Sequence, residues 1–141
     1  MKPFAGKSVA LWVEELDELA QLGTALARLG FAIYSVDSAA KVKNLIGSGA
    51  VDLVVASLSR FPIRGTDPMN LLPWVRAVEN APKVVVAVDQ WDKDLYLEAL
   101  QLGAFDGIAL PLDERELIRI LSRAVAALPR VVGAPQLQKT A

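Results

Sequence analysis

Two carboxylates, Glu14 and Glu15, follow directly on the first apolar run of the chain. Paired acids at such a place could hold a hard cation such as Mg2+, which takes oxygen ligands. The same pair also suits the positive N-terminal end of a helix. Asp89, just after the apolar run 84–88, could cap the next helix, pair with a loop arginine, or join Glu14 around a cation. Arg60 and Arg64 lie in the long segment between Ser57 and Asp67, where they could offer an anion site or simply be solvated. Ser57 is an alcohol and would need a base to act as a nucleophile. The 141 residues include no cysteine and no histidine, which removes thiolate nucleophiles, disulfides, imidazole bases and the usual zinc ligands. Most hydrolase and metalloenzyme readings end there.

The elements that must position these residues are legible as five short apolar runs, at 8–13, 31–36, 53–56, 84–88 and 105–110. Continuous rather than alternating hydrophobicity at this length predicts strands covered on both faces, as in a parallel sheet. Between them, Leu16, Leu19, Leu22, Leu26 and Leu29 form one stripe of a helix stopped by Gly30. Ser38 can cap a second helix carrying Val42, Leu45 and Ile46. A third follows Asp67 and Pro68 and buries Leu71, Leu72, Val75 and Val78, with Pro73 near its start. Asp92 can cap a fourth, with Leu95, Tyr96, Ala99 and Leu100 inward. Asp113 and Glu116 form a capping-box pattern ahead of Leu117, Ile120, Leu121, Ala124, Val125 and Leu128, and Pro129 ends the pattern. The expectation is one α/β domain over 1–128, doubly wound, followed by a tail at 129–141, in which Lys139 is the only charged side chain from Val131 onward. Ligands of such sheets bind at the carboxyl ends of the strands, so the residues there decide function.

Over 8–128 the chain resembles the receiver domains of bacterial two-component response regulators. The segment Asp52-Leu53-Val54-Val55-Ala56-Ser57 is similar to the family's third strand, and 97–107 is similar to the helix and turn before its last strand. The resemblance implies a (βα)5 fold with a five-stranded parallel sheet in the flavodoxin-like order 2-1-3-4-5. It also implies the site. Ser57 stands where the family has its phosphorylated aspartate, Val88 where it has a hydroxyl residue, with Asp89 next to it, and Leu110 before Pro111 where it has a lysine. Of the acidic pair, Glu14 and Glu15 remain, although spacing to Gly30 could equally place Val13 and Glu14 there. The expected function is that of a pseudo-receiver: a regulatory, protein-binding domain that acts without phosphorylation, is not an enzyme and needs no cofactor. Glu14 and Glu15 are weak candidates for Mg2+.

In receivers the surface of the fourth helix, fifth strand and fifth helix commonly carries dimer or target contacts. On this chain it would draw on Trp91, Asp94, Glu98, Gln101, Phe105, Arg115, Arg119 and Ser122, which implies a protein partner or a homodimer. Trp91 could be a contact hot spot or could pack back over the sheet edge; Trp12 and Trp74 read as core or part-buried residues. The alternative is a small-molecule or nucleotide-binding α/β module using the strand-end cleft, but residues 14–18 are Glu-Glu-Leu-Asp-Glu, which repels phosphate, and no G-x-G-x-x-G follows the first strand. An active receiver with a displaced acceptor lacks an aspartate at the third strand's end, since Asp52 begins that strand. A net charge of −1 gives no field for nucleic acid, and no span suits a membrane, so a cytoplasmic location is expected.

Overall fold

A computed structural model of the protein describes residues 2–60, 67–90 and 92–128. Arg64, Trp91 and the expected tail from Pro129 onward lie outside the described residues. Each apolar run forms a strand and each intervening amphipathic segment a helix. The order is β1 (Ser8–Trp12), α1 (Leu16–Arg28), β2 (Ala32–Val36), α2 (Ala39–Gly47), β3 (Leu53–Ser57), α3 (Leu71–Ala77), β4 (Lys83–Asp89), α4 (Lys93–Leu102), β5 (Asp106–Leu110) and α5 (Glu114–Ala126). The strands pair in parallel in the order β2-β1-β3-β4-β5. This is the doubly wound arrangement the strand and helix alternation predicts.

Side chains alternate across the sheet, and each face has its own core. Val9, Leu11, Val55, Val85, Ala87 and Ile108 pack with Leu22 and Leu26 of α1 and with Leu117, Ile120 and Leu121 of α5. Ala10, Trp12, Val54, Ala56, Val84 and Val86 pack with Val42 of α2, Leu72 and Val75 of α3, and Leu95 and Ala99 of α4. Because both faces are covered, β1, β3 and β4 are apolar at nearly every position. Trp12 is core, and Trp74 is half-buried with the Lys43 ammonium 5.1 Å from its ring centre.

Three expectations need correction. The run at 31–36 does not form a buried strand: β2 is an edge strand, Tyr34 is 43% exposed, and Phe31 precedes it, stacked on Phe4 at 4.8 Å. Leu16 opens α1 and is 77% exposed; the apolar stripe finds a core only from Leu19 onward. The third helix enters through a 3-10 turn at Pro68–Asn70 capped by Asp67, and Val78 follows its end. Pro73 then falls in the first α-helical turn, where its missing N–H is tolerated. The other ends are as the residues dictate. Ser38, Asp92 and Asp113 accept from backbone N–H groups of Lys41, Leu95 and Arg115. Gly30 stops α1 at φ +107°, where an added Cβ would stand 2.9 Å from the Ala5 nitrogen.

Candidate functional site

Five of the candidate residues named in sequence, Glu14, Glu15, Ser57, Arg60 and Asp89, meet at the carboxyl ends of β1, β3 and β4. They line one cavity of about 230 Å3 together with Glu18 and Asp92. Parallel strands all deliver their last residues to the same edge of the sheet, so residues far apart in sequence converge there.

Inside this cavity the groups are already engaged. Glu15 is the N-cap of α1, its carboxylate accepting from the Asp17 N–H at 2.5 Å. The Ser57 hydroxyl, half-buried, donates to Oε1 of Glu18 at 2.7 Å. Glu18 was not singled out in sequence, although it lies one helical turn from Glu14 and Glu15 at the start of a helix entering at the strand ends; that spacing was the available signal. Asp89 ends β4, and the cap of α4 is Asp92, so the reading of Asp89 as the cap is corrected.

Arg60 stays exposed to solvent, as a loop arginine would, but it is not an open anion site. It forms a two-point ion pair with Asp92, Nη2 to Oδ1 at 2.5 Å and Nε to Oδ2 at 3.2 Å. The hydrogen bond from Arg60 is the chief reason the Asp92 carboxyl is held below its ordinary value, and the same bond raises Arg60. The pair links the segment after β3 to the first residue before α4.

Val88 and Leu110 do not share the cavity. Both are buried, Val88 in the core beneath α3 and α4 and Leu110 in the core beneath α1 and α5. Leu110 precedes Pro111 through a cis peptide. Among the described residues no three acid side chains converge in a way that could hold a metal ion. Glu15 is committed to its helix cap and a serine stands at the end of β3, while Glu14, Glu18 and Asp89 also line the cavity.

The second group of sequence candidates falls on the α4–β5–α5 side. Asp94, Glu98 and Gln101 are exposed on α4, and Arg115, Arg119 and Ser122 are exposed on α5. Leu97, not singled out, lies between the two acids of α4 and is 53% exposed. Phe105 differs from the rest of the group: it is half-buried and packs against the core at the opposite end of β5. A groove of about 390 Å3 runs between α4 and α5 over β5, with Lys93, Tyr96, Gly107, Ala109, Arg119 and Arg123 on its walls and floor. Sequence periodicity placed Tyr96 on the inner face of α4 but not its partners there.

Five parallel strands in the order 2-1-3-4-5, flanked by five helices and with a cavity at the strand ends, are the flavodoxin-like receiver fold. Solved receiver domains superpose on the chain accordingly. That of the TMAO respiratory system response regulator TorR covers 87% of this chain and 99% of its own, with a TM-score of 0.74 and 17% identity. The receiver domain of a sensor histidine kinase from Pseudomonas aeruginosa PAO1, with a magnesium ion coordinated in its active site cleft, covers 87% and 100%, with a TM-score of 0.71 and 23% identity. In sequence, the chain is similar to the DNA-binding transcriptional regulator NtrC of Azospirillum brasilense, 27% identical over 118 residues and 79% of this chain. The chain spans about a quarter of that relative's length (24%). No protein-family model matches the chain. No helix among the described residues is long and apolar enough to cross a membrane.

Proposed function

We propose that this chain is a pseudo-receiver, a regulatory domain that binds a protein partner without being phosphorylated and without catalysing a reaction. The observation that carries this is Ser57 at the end of β3, its hydroxyl hydrogen-bonded to Glu18. The resemblance to receivers puts the phosphorylated aspartate at this position. An alcohol tied to a carboxylate amid further acids is a poor acceptor for an anionic phosphoryl group. Leu110 supplies no charge and Val88 no hydroxyl, and both are held in the core. Glu15, engaged as a helix cap, and the serine at the end of β3 support a function independent of Mg2+. The carboxylates of Glu14, Glu15, Glu18 and Asp89 equally oppose a nucleotide in the same cavity.

Binding falls to the α4–β5–α5 face. Asp94 and Glu98 are exposed acids of α4, Arg115 and Arg119 exposed bases of α5, Lys93 lines the groove between the two helices, and Leu97 offers an exposed apolar side chain. Two copies related by a two-fold axis could set these acids of each against these bases of the other, so a homodimer is one form this docking would take. Action in the cytoplasm belongs to the same reading.

The test is incubation with Mg2+ and acetyl phosphate, read by intact mass, alongside sedimentation of wild type and Arg119→Glu. No phosphoryl adduct, and self-association weakened by the substitution, are expected. A labile adduct overturns the pseudo-receiver.

A further inference from the structure

Gly107 is the second residue of β5, a poor place for glycine on propensity alone. Its reason is local. A Cβ at this position would stand 2.5 Å from Cδ1 and Cε1 of Tyr96, so the tyrosine ring occupies the space a β5 side chain would take. The Tyr96 hydroxyl donates to Oδ1 of Asp106 at 3.0 Å. Oδ1 of Asp106 also accepts from the Gly107 N–H at 2.7 Å, and its Oδ2 pairs with Nη2 of Arg123 on α5 at 2.6 Å. One aromatic side chain from α4 therefore rests on β5 and is tied, through a single carboxylate, to α5.

We infer that Tyr96 is a pin: its ring fills the place Gly107 leaves empty, its hydroxyl closes on Asp106 and Arg123, and α4, β5 and α5 are held as one face whose shape does not depend on Ser57. This deepens the reading of that face as the docking surface and rests on it for its functional meaning. The pin gives a phosphorylation-independent binder a binding face in one permanent state. Burial first, and then the Asp106 bond and charge, push the Tyr96 phenol above its ordinary value, against the lowering effect of Arg123. Glu116 adds to the rise, and Lys93 and Arg119 line the same groove.

The chain has two tyrosines, so in a Tyr34→Phe background only Tyr96 titrates by tyrosinate absorbance. Hydrogen exchange of the α4 amides is measured on the same proteins. The pin predicts a late Tyr96 transition that Gly107→Ala brings back to about pH 10. It also predicts exchange of α4 amides accelerated roughly tenfold or more by Gly107→Ala and less by Tyr96→Phe, which keeps the ring. Ser57→Ala is expected to change α4 exchange by no more than its own loss of global stability. An unchanged Tyr96 transition in Gly107→Ala overturns the proposal, as does an expelled ring with unaltered α4 exchange, or α4 exchange that Ser57→Ala speeds beyond its own loss of global stability. If Gly107→Ala does not fold, wild-type exchange rates in Tyr96→Phe overturn it instead. Failure of the wild-type chain to self-associate would count against the homodimer alone, because the pin is read within one molecule.

Discussion

The Ser57 hydroxyl donates to Glu18 across 2.7 Å, joining the end of β3 to the first turn of α1. Its removal in Ser57→Ala is expected to cost about 0.5–1.5 kcal/mol, the worth of one half-buried hydrogen bond. Ser57→Asp sets a second carboxylate against Glu18 and is expected to cost more, with most of the loss recovered in the Ser57→Asp, Glu18→Gln double variant. Urea midpoints at neutral pH measure all three.

Ser57→Asp alone is not expected to gain a phosphoryl group from acetyl phosphate and Mg2+. Leu110 and Val88 are buried outside this cavity and supply the new acid with neither the charge nor the hydroxyl that the receiver resemblance requires. Intact mass before and after mild base treatment decides the point.

The Arg60–Asp92 pair predicts an acid dependence with a definite sign. The hydrogen bond from Arg60 depresses the folded-state value of Asp92. The unfolded chain therefore takes up the proton first as pH falls, and the contribution is present above the unfolded value and lost as pH drops through the folded one. Arg60→Gln is expected to be slightly less stable than wild type at pH 7, with the difference closing below about pH 4. The effect is small because the pair is largely solvent-exposed. Urea midpoints of the two proteins across this range measure it.

Two glycines with positive φ separate backbone strain from crowding. Gly49→Ala, at φ +72° with open space around it, is expected to cost about 1 kcal/mol. Gly30→Ala meets the Ala5 backbone as well and is expected to cost clearly more. Thermal or urea denaturation ranks the two.

Leucines of one predicted stripe are expected to behave differently. Leu26→Ala, at a site with no solvent exposure, is expected to cost about 2–5 kcal/mol. Leu16→Gln is expected to stay within about 0.5 kcal/mol of wild type, because its side chain is exposed. The same denaturation series tests both.

The strands, the helices and the caps at Ser38, Asp92 and Asp113 were legible because period and capping chemistry are local. The exposure of Leu16 and Tyr34 was not, since a stripe does not say where the sheet stops and a run of apolar residues does not say which strand lies at the edge. At the strand ends, sequence reached Glu14, Glu15, Ser57 and Asp89 through the order of the elements. It missed Glu18 as the partner of Ser57 and Asp92 as the partner of Arg60. Those choices depend on side-chain reach between segments 39 and 32 residues apart. Gly107 was invisible for the same reason: a glycine in a strand means a close approach only once the approaching ring is known.

Asp92 serves two masters. Its Oδ1 accepts from the Leu95 N–H to begin α4 and takes one arm of Arg60, whose other arm reaches Oδ2. Asparagine or serine could replace it as a cap, but neither could hold the arginine as an ion pair. Positions 60 and 92 are thus unequal in their freedom to drift. Loss of the arginine leaves a competent cap, whereas loss of the acid strands a cation. In descendants of this chain, change at position 60 is expected to come first and to release position 92 to the ordinary choices of a helix start.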